Sequence, residues 1–176
     1  MFYKMIISSV LFLSLCNASS DIKNLDTFKA NFSQNIKSTS GNVINYTGDV
    51  FIKKSGKILW KYKTPIIKNV YILNDFAIVD EPELEQAIYT QLQSEINIIK
   101  LLNNAKKINV NTYIAKIEDV DYLIETSKEN TIDIIKYKDK LDNKVEINFL
   151  NVVQNENITD DIFKFTAPDN YDIIRK

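Results

Sequence analysis

GDVFIKKSGKILWKYKTP, residues 48–65, is the stretch that indicates the fold class of this chain. Apolar side chains recur at every second position on both sides of a turn that contains Gly56. Because alternate side chains of a strand point to opposite faces, the stretch predicts a β-hairpin with one apolar and one lysine-rich face. Glycine suits the turn because it adopts positive φ easily, and Pro65 ends the second strand because it lacks an N–H. The apolar face contains Val50, Ile52, Ile58, Trp60 and Tyr62, and the other face contains Lys57, Leu59, Lys61 and Lys63.

Residues 1–18 have the pattern of a cleavable signal peptide. Lys4 supplies the positive charge, residues 5–15 form an apolar run, and small side chains precede a cleavage site after Ala18. The run is shorter than the ~20 residues that cross a bilayer as a helix. We therefore expect an exported, periplasmic protein whose single domain comprises residues 19–176.

Two alternatives to this processing remain open. Cleavage after Ser20 would also fit, and Cys16 lies in a sequence that approximates a lipoprotein box. Leu15 precedes that cysteine where a small residue is expected, which argues against lipidation. If the signal peptide is removed after Ala18, the mature chain has no cysteine and hence no disulfide and no thiol nucleophile.

The composition argues against an enzyme, a metal protein and a nucleic-acid partner. The chain has no histidine, which removes the commonest general base and the commonest metal ligand. Three glycines leave no phosphate-binding loop, and a net charge of −1 gives no basic surface for nucleic acid. The carboxylate pairs Asp119/Asp121 and Asp160/Asp161 fit solvated turns. We expect no catalytic residues, no metal and no cofactor.

Apolar spacing predicts helices in two places. The first is residues 22–37, and the second is a pattern over residues 84–104 that would by itself make one long helix. Apolar residues of the first helix recur at spacings of three and four, which places them on one face. They are Ile22, Leu25, Phe28, Phe32 and Ile36.

The rest of the chain reads as strands, about nine or ten in all. Beyond the hairpin, runs of β-branched and aromatic residues are separated by polar turns such as Asn74-Asp75. A long, strongly curved antiparallel sheet around helices fits this pattern better than a sandwich of short strands. The predicted strands include residues 66–74, 76–80, 113–117, 122–126, 131–138 and 144–152.

Four stretches, in the same order along the chain, resemble the LolA family of periplasmic lipoprotein carriers. They are a first helix motif, the hairpin described above, a short mid-chain segment and an F-x-F-x-x-P ending, and together they span nearly the whole mature chain. The matching residues are Leu25, Phe28, Ala30, Phe32 and Gln34; Gly48, Asp49, Val50, Phe51, Lys54, Trp60, Tyr62 and Pro65; Leu84, Glu85, Gln86 and Ala87; and Phe163, Phe165 and Pro168.

The resemblance implies a mainly β member of the α+β class. The expected fold is an unclosed, strongly curved antiparallel β-barrel, with an N-terminal helix and a mid-chain lid helix that cover its interior. The family pattern places a strand over residues 84–87 and the lid over residues 96–106, in place of one long helix.

The resemblance also implies a function. Such a monomeric chaperone binds the acyl chains of lipoproteins in a hydrophobic cavity and carries them from the inner to the outer membrane. Its expected partners are the inner-membrane lipoprotein-releasing ABC transporter and an outer-membrane receptor, or the outer membrane itself. The candidate acyl-binding residues are Leu25, Phe28, Phe32, Val50, Ile52, Trp60, Tyr62, Ile96, Ile99 and Leu102.

Lys54 stands where the family commonly has an arginine that holds the lid closed. Lysine keeps the charge but lacks the planar five-donor fork, so we expect a looser latch or a replacement for it. A solvated lysine beside Lys53 and Lys57 is the alternative.

Two other functions remain open at this stage. A membrane-anchored receptor resembling LolB would need a lipid on Cys16. A structural envelope β-protein would use each candidate site residue as ordinary packed core, and would not take up a hydrophobic dye while folded.

Overall fold

The computed structural model describes residue 22 and residues 24–73, 76–91, 98–117 and 119–176. The signal peptide predicted over residues 1–18, the Asn74-Asp75 turn and Ile96 lie outside the described residues. Twelve strands, one short α-helix and two 3₁₀ segments make up the described elements. They are β1 (Thr27–Lys37), β2 (Val43–Lys53), β3 (Lys57–Thr64), β4 (Lys68–Leu73), β5 (Phe76–Glu81), a 3₁₀ segment (Pro82–Leu84), β6 (Gln86–Gln91), α1 (Ile98–Asn103), β7 (Lys106–Asn109), β8 (Thr112–Ile117), β9 (Val120–Thr126), β10 (Ile132–Lys138), β11 (Lys144–Gln154), a second 3₁₀ segment (Asp160–Phe163) and β12 (Asp172–Arg175).

All twelve strands belong to one sheet, in the order β12-β6-β5-β4-β3-β2-β1-β11-β10-β9-β8-β7. The pairs are antiparallel except for β12, which runs parallel to β6. The two ends of the order, β12 and β7, do not pair with each other, so the barrel stays open. The predicted mainly β, unclosed antiparallel architecture is confirmed.

The N-terminal helix predicted over residues 22–37 is wrong, because residues 27–37 form β1. Phe28, Phe32 and Ile36 are four residues apart, and a spacing of four places side chains on one face of a strand as well as of a helix. The buried Ala30 between the two phenylalanines shows the two-residue period of a strand. Pairing with β2 and β11 satisfies the backbone groups of β1. A local pattern cannot reveal the pairing with β11, because β11 is distant in sequence.

Residues 84–104 do not form one long helix. The expected strand begins at Gln86, after the 3₁₀ segment and a left-handed residue, Glu85 (φ 49°). The lid helix predicted over residues 96–106 is confirmed for residues 98–103, and β7 already begins at Lys106. Across the described residues, no helix has the length and apolar character needed to cross a bilayer.

The predicted hairpin is confirmed as β2 and β3. Val50 lies opposite Trp60 in the ladder, and the turn contains Gly56 at φ 92°. Leu59, which the sequence placed among lysines on the outer face, is fully buried there. Ile158 and Phe163 of the C-terminal segment cover it, an arrangement that strand alternation alone could not predict.

The concave face of the sheet carries the main core. Strands from both halves of the sheet contribute to it, and α1 contacts both β2 and β8, so the helix bridges the curve of the sheet. The buried members are Ile22, Leu25, Phe28, Ala30, Phe32, Val50, Ile52, Ile58, Ile72, Ala77, Ile99, Leu101, Leu102, Ala105, Tyr113, Ala115, Tyr122, Ile124, Ile132, Ile135, Val145, Ile147 and Phe149.

The C-terminal segment is held against the convex face by charge as well as by apolar contacts. Lys53 Nζ and Lys57 Nζ donate to the two carboxylate oxygens of Asp160 at 2.6 and 2.8 Å. These hydrogen bonds, that from Lys53 first, lower the pKa of Asp160 to about 2. Beyond this point the chain continues to β12, which covers the edge of β6.

Gly48→Ala should destabilise the fold. A Cβ at this position would clash with the carbonyl oxygen of Lys61 and with the ring of Phe32, which packs over the glycine. We expect a loss of about 2 kcal/mol or more in the free energy of unfolding, measured by urea denaturation. Gly41→Ala is the control, because Gly41 has open space around it and only an unfavourable φ of 92°, worth about 1 kcal/mol. Equal losses in the two variants would contradict close packing at Gly48.

Candidate functional site

The structure brings nine of the ten predicted acyl-binding residues into one apolar cluster on the concave face. Ile96 is the tenth and lies outside the described residues. Trp60 and Tyr62 are only partly buried. The seven buried ones are Leu25, Phe28, Phe32, Val50, Ile52, Ile99 and Leu102. Their shared position agrees with the sequence prediction, and their role in binding stays a prediction.

One end of the interior is filled by the chain itself. Ile22 and Leu25, in the segment before β1, are almost fully buried, and so are Leu101 and Leu102 of α1. These side chains occupy the space between the two halves of the curved sheet. We call them, together with Ile99 of the same helix, the plug.

The other part of the interior carries a group of aromatic rings. Of these, the sequence predicted only Phe32, Trp60 and Tyr62 as site residues. The Phe32 ring lies 4.9 Å from the Trp60 ring and 5.2 Å from the Tyr62 ring between centroids, both nearly perpendicular. Tyr46 extends the group, 5.5 Å from Tyr62. Such edge-to-face pairs add about 0.5–1.5 kcal/mol each beyond the area that they bury.

Tyr122 and Tyr137 complete these rings from the other half of the sheet, with their centroids 4.9 Å apart. We call the whole set (Phe32, Tyr46, Trp60, Tyr62, Tyr122 and Tyr137) the aromatic end of the interior. Tyr46 could have been found from sequence, because it shares the parity of Val50 along β2. Tyr122 and Tyr137 could not, because only the pairing of β9 with β10 places them side by side.

The aromatic end is uncharged at neutral pH. Burial, with a contribution from Tyr46, raises the pKa of Tyr62 to about 12. Burial raises the pKa of Tyr137 as well, helped by Tyr122 and Tyr62. At its edge, Lys68 Nζ lies 4.7 Å from the centroid of the Tyr62 ring, a cation–π contact. The surface therefore suits an apolar ligand whose polar part stays near the edge.

Lys54 lies at the plugged end of the interior. Its backbone N–H donates to the carbonyl oxygen of Asp26 at 2.8 Å, and its Nζ donates to the Asp26 carboxylate at 3.1 Å. Both side chains are largely exposed. This geometry joins Lys54 to the segment before β1, whereas the sequence prediction joined it to the lid helix. The latch role stays a prediction.

Within the part of the chain that the structure describes, no group of three or more histidine, cysteine, aspartate or glutamate residues could hold a metal ion.

These features define a class of protein: an unclosed β-barrel with an apolar concave face that the chain itself partly fills. The chain belongs to the LolA family, since the family model described as outer membrane lipoprotein carrier protein LolA matches residues 23–166. The resemblance stated from sequence is confirmed.

Named relatives agree with this assignment, and one solved structure shares the fold. The outer-membrane lipoprotein carrier protein of Campylobacter jejuni is 36% identical over 152 residues, covering 86% of this chain and 88% of the relative. That of Wolinella succinogenes is 32% identical over 154 residues, covering 88% and 90%. An uncharacterized conserved protein from Thermus thermophilus shares the fold with a TM-score of 0.56 at 7% identity, covering 90% of this chain and 95% of that one.

Tyr62 should titrate late. The pKa of Tyr62 is about 12 in the folded protein and near 10 in the unfolded chain. The contribution of this neutral phenol to folding stability is therefore fully present below pH 10 and is lost as the pH rises toward 12. Ultraviolet absorbance of tyrosinate during a pH titration measures this directly. In the titration of the folded protein, Tyr62→Phe should remove the absorbance change of one phenol that ionises at high pH. In the titration of the urea-unfolded variant, all the remaining phenols should ionise near pH 10. A folded Tyr62→Phe curve with the same late amplitude as the parent would contradict the assignment.

Proposed function

We propose that this chain is a periplasmic carrier that binds the acyl chains of lipoproteins against its concave face. The observation that carries the proposal is the apolar interior, occupied at one end by α1 and the segment before β1 and lined at the other by partly exposed aromatic rings. Family membership and the names of the relatives give the cargo its chemical class. The role is one of binding and transport, not catalysis.

The energetics of the cargo explain why the interior is plugged. Each CH₂ of an acyl chain is worth about 0.8 kcal/mol when it leaves water, so a lipoprotein in transit needs a large apolar surface. The same surface, empty and exposed, would make the carrier aggregate. Side chains such as Leu101 and Leu102 cover it from within. When acyl chains displace the plug, they cover the same apolar surface in its place.

The plug is built to move. The described part of α1, residues 98–103, is short, and a short helix has little stability apart from its packing. Displacing it exposes Ile99 and Leu102, which can pack against the bound acyl chains instead. We propose that Ile96, which lies outside the described residues, belongs to the same acyl-binding set.

Lys54 and Asp26 form the proposed latch of the segment that carries Ile22 and Leu25. An exposed ion pair contributes less than about 1 kcal/mol, which suits a latch that must open during each transfer. The backbone hydrogen bond between the same two residues holds the segment when the ion pair is absent.

The cellular setting follows from the same proposal. Residues 1–18 direct export and are removed, and the mature monomer comprises residues 19–176. Cargo arrives from an inner-membrane lipoprotein-releasing ABC transporter and leaves at an outer-membrane receptor or at the outer membrane itself. The mass of the released protein tests this setting. A lipid-modified Cys16 at its N-terminus would favour an anchored receptor resembling LolB.

Acyl binding should be visible through Trp60, the only tryptophan of the chain. A diacylated peptide with brominated acyl chains should quench its fluorescence, because bound chains would contact the aromatic end where Trp60 lies. The same peptide without acyl chains should leave the fluorescence unchanged. A structural envelope protein with a permanently filled core would show no quenching by either peptide.

A pair of variants on β2 assigns the binding to the concave face. Tyr46→Glu places a charge on the partly buried concave side. We expect the affinity for the acyl peptide, measured by quenching, to fall about tenfold, because a charge beside acyl chains is costly. Phe51→Glu is the matched control on the convex side of the same strand, where Lys29 Nζ and Lys61 Nζ lie within 6 Å of the ring centroid. Thermal unfolding is measured for both. Equal losses of binding in two folded variants would remove the concave face from the site.

Removal of the latch should ease binding. Lys54→Leu breaks the ion pair with Asp26, and we expect two- to fivefold tighter acyl-peptide binding, the range set by an exposed pair. Asp26→Asn should give the same result, and Lys54→Arg should bind like the parent. If Lys54→Leu alone has an effect, Lys54 acts on the lid helix. If neither variant changes binding, the plug is held by its apolar contacts.

A further inference from the structure

Three hairpin tips lie side by side at one end of the sheet. They connect β1 to β2, β3 to β4 and β10 to β11, and the strand order β4-β3-β2-β1-β11-β10 makes them neighbours. We define the tip surface as residues 37–44, 63–68 and 138–144. The aromatic end of the interior lies next to it, since Tyr46, Tyr62 and Tyr137 each come within two residues of one of these ranges.

The tip surface exposes a group of branched aliphatic side chains. Leu141 is 77% exposed at the tip between β10 and β11. Four others, two on each remaining tip, are between 47% and 49% exposed: Val43, Ile44, Ile66 and Ile67. Single exposed aliphatic residues are ordinary, whereas five on adjacent tips mark a surface that something covers.

The apolar group continues into the interior. Ile44 pairs with Ile36 in the ladder between β1 and β2, and Ile36 packs against the concave core. Two residues further along β2, Tyr46 begins the aromatic end. An apolar path therefore leads from the tips to the concave face without crossing a charged strip on β2.

The three ranges of the tip surface carry an excess of positive charge, and the β8–β9 turn beside them brings Asp119 and Asp121 into a cleft with Lys138 and Lys140. The three ranges contain six lysines and two aspartates. Lys37, Lys138 and Lys144 line a cleft of about 460 Å³ between two of the tips, together with Asp142 and small polar residues. The other acid of the tip surface, Asp139, is engaged in its own turn, where it accepts hydrogen bonds from the backbone N–H groups of Leu141 and Asn143.

Other turns do not share this combination. At the opposite end of the sheet, the β2–β3 turn is Lys54-Ser55-Gly56, and the β9–β10 connection over residues 127–131 is entirely polar. Leu84 is exposed near the tip surface, but Glu83 and Glu85 flank it. Val110 and Ile108 are 75% and 58% exposed at the far end, but they lie on a single turn and strand, and no adjacent described tip adds an exposed aliphatic residue.

We propose that the tip surface seats on a lipid bilayer that contains anionic phospholipids. The aliphatic side chains enter the interface between headgroups and acyl chains, and the lysines contact the phosphates. This places the aromatic end against the membrane, so that acyl chains can pass between bilayer and interior without exposure to water. The passage of acyl chains rests on the proposed function. The binding of the tip surface to a bilayer does not, because it requires no cargo.

Vesicle co-sedimentation of the full mature chain tests the proposal. We expect binding to phosphatidylcholine vesicles that contain phosphatidylglycerol, weaker binding to phosphatidylcholine alone, and weakening by salt. Leu141→Ser should reduce the partition coefficient about tenfold. Val110→Ser is the matched control, because Val110 is an equally exposed aliphatic residue at the far end, and it should bind like the parent. Lys144→Gln should lose about fivefold, and Lys128→Gln, an exposed lysine at the far end, should lose nothing.

Two results would overturn the proposal: no vesicle binding by the parent, or equal binding by Leu141→Ser and Val110→Ser. Quenching of Trp60 by the brominated acyl peptide, measured without vesicles, reports on the proposed function separately. Leu141→Ser should keep that quenching, so failure of membrane contact and failure of acyl binding are distinguishable.

Discussion

The pairing of β1 with β2 on one side and β11 on the other is the constraint on which the rest of the structure depends. On one side, β2 to β6 follow one another as local hairpins, and on the other, β7 to β11 do the same. Within the sheet, β1 is the strand that pairs with both halves, and the contact between Phe28 and Phe149, with ring centroids 5.2 Å apart, lies across that joint. Because the joint brings distant parts of the chain together, it creates the concave face that neither half has alone.

A concave apolar face creates a problem that the chain solves with its own segments. Residues before β1 and the short helix α1 enter the space and bury their aliphatic side chains there. The surface is thus covered by the short helix α1 and by a segment with one exposed ion pair, each of which contributes little stability of its own. A carrier needs this balance, because it must bind apolar chains strongly and also release them.

The two ends of the interior differ in chemistry. The plugged end is aliphatic and has the ion pair of Lys54 with Asp26 beside it, whereas the other end is aromatic and lies beside exposed aliphatic tips and lysines. The phenols of Tyr62 and Tyr137 stay neutral because burial opposes their ionisation. Gly48 contributes to the same end, since the absence of a side chain lets the Phe32 ring pack over the strand toward Trp60 and Tyr62.

The sequence by itself determined the elements whose partners are close in the chain. Alternation and turn chemistry gave the hairpin around Gly56 and the strands of residues 113–152, because a hairpin is specified by neighbours. The family motifs added the unclosed barrel, the place of α1 and nine residues that the structure gathers into one cluster. Tertiary structure decided that residues 27–37 are a strand, since their four-residue spacing fits both periods and the strand conformation is fixed by pairing with β2 on one side and the distant β11 on the other. It also decided that Leu59 is buried, that Lys54 meets Asp26, and that Tyr122 and Tyr137 join the aromatic end, because each depends on a contact that local sequence does not encode.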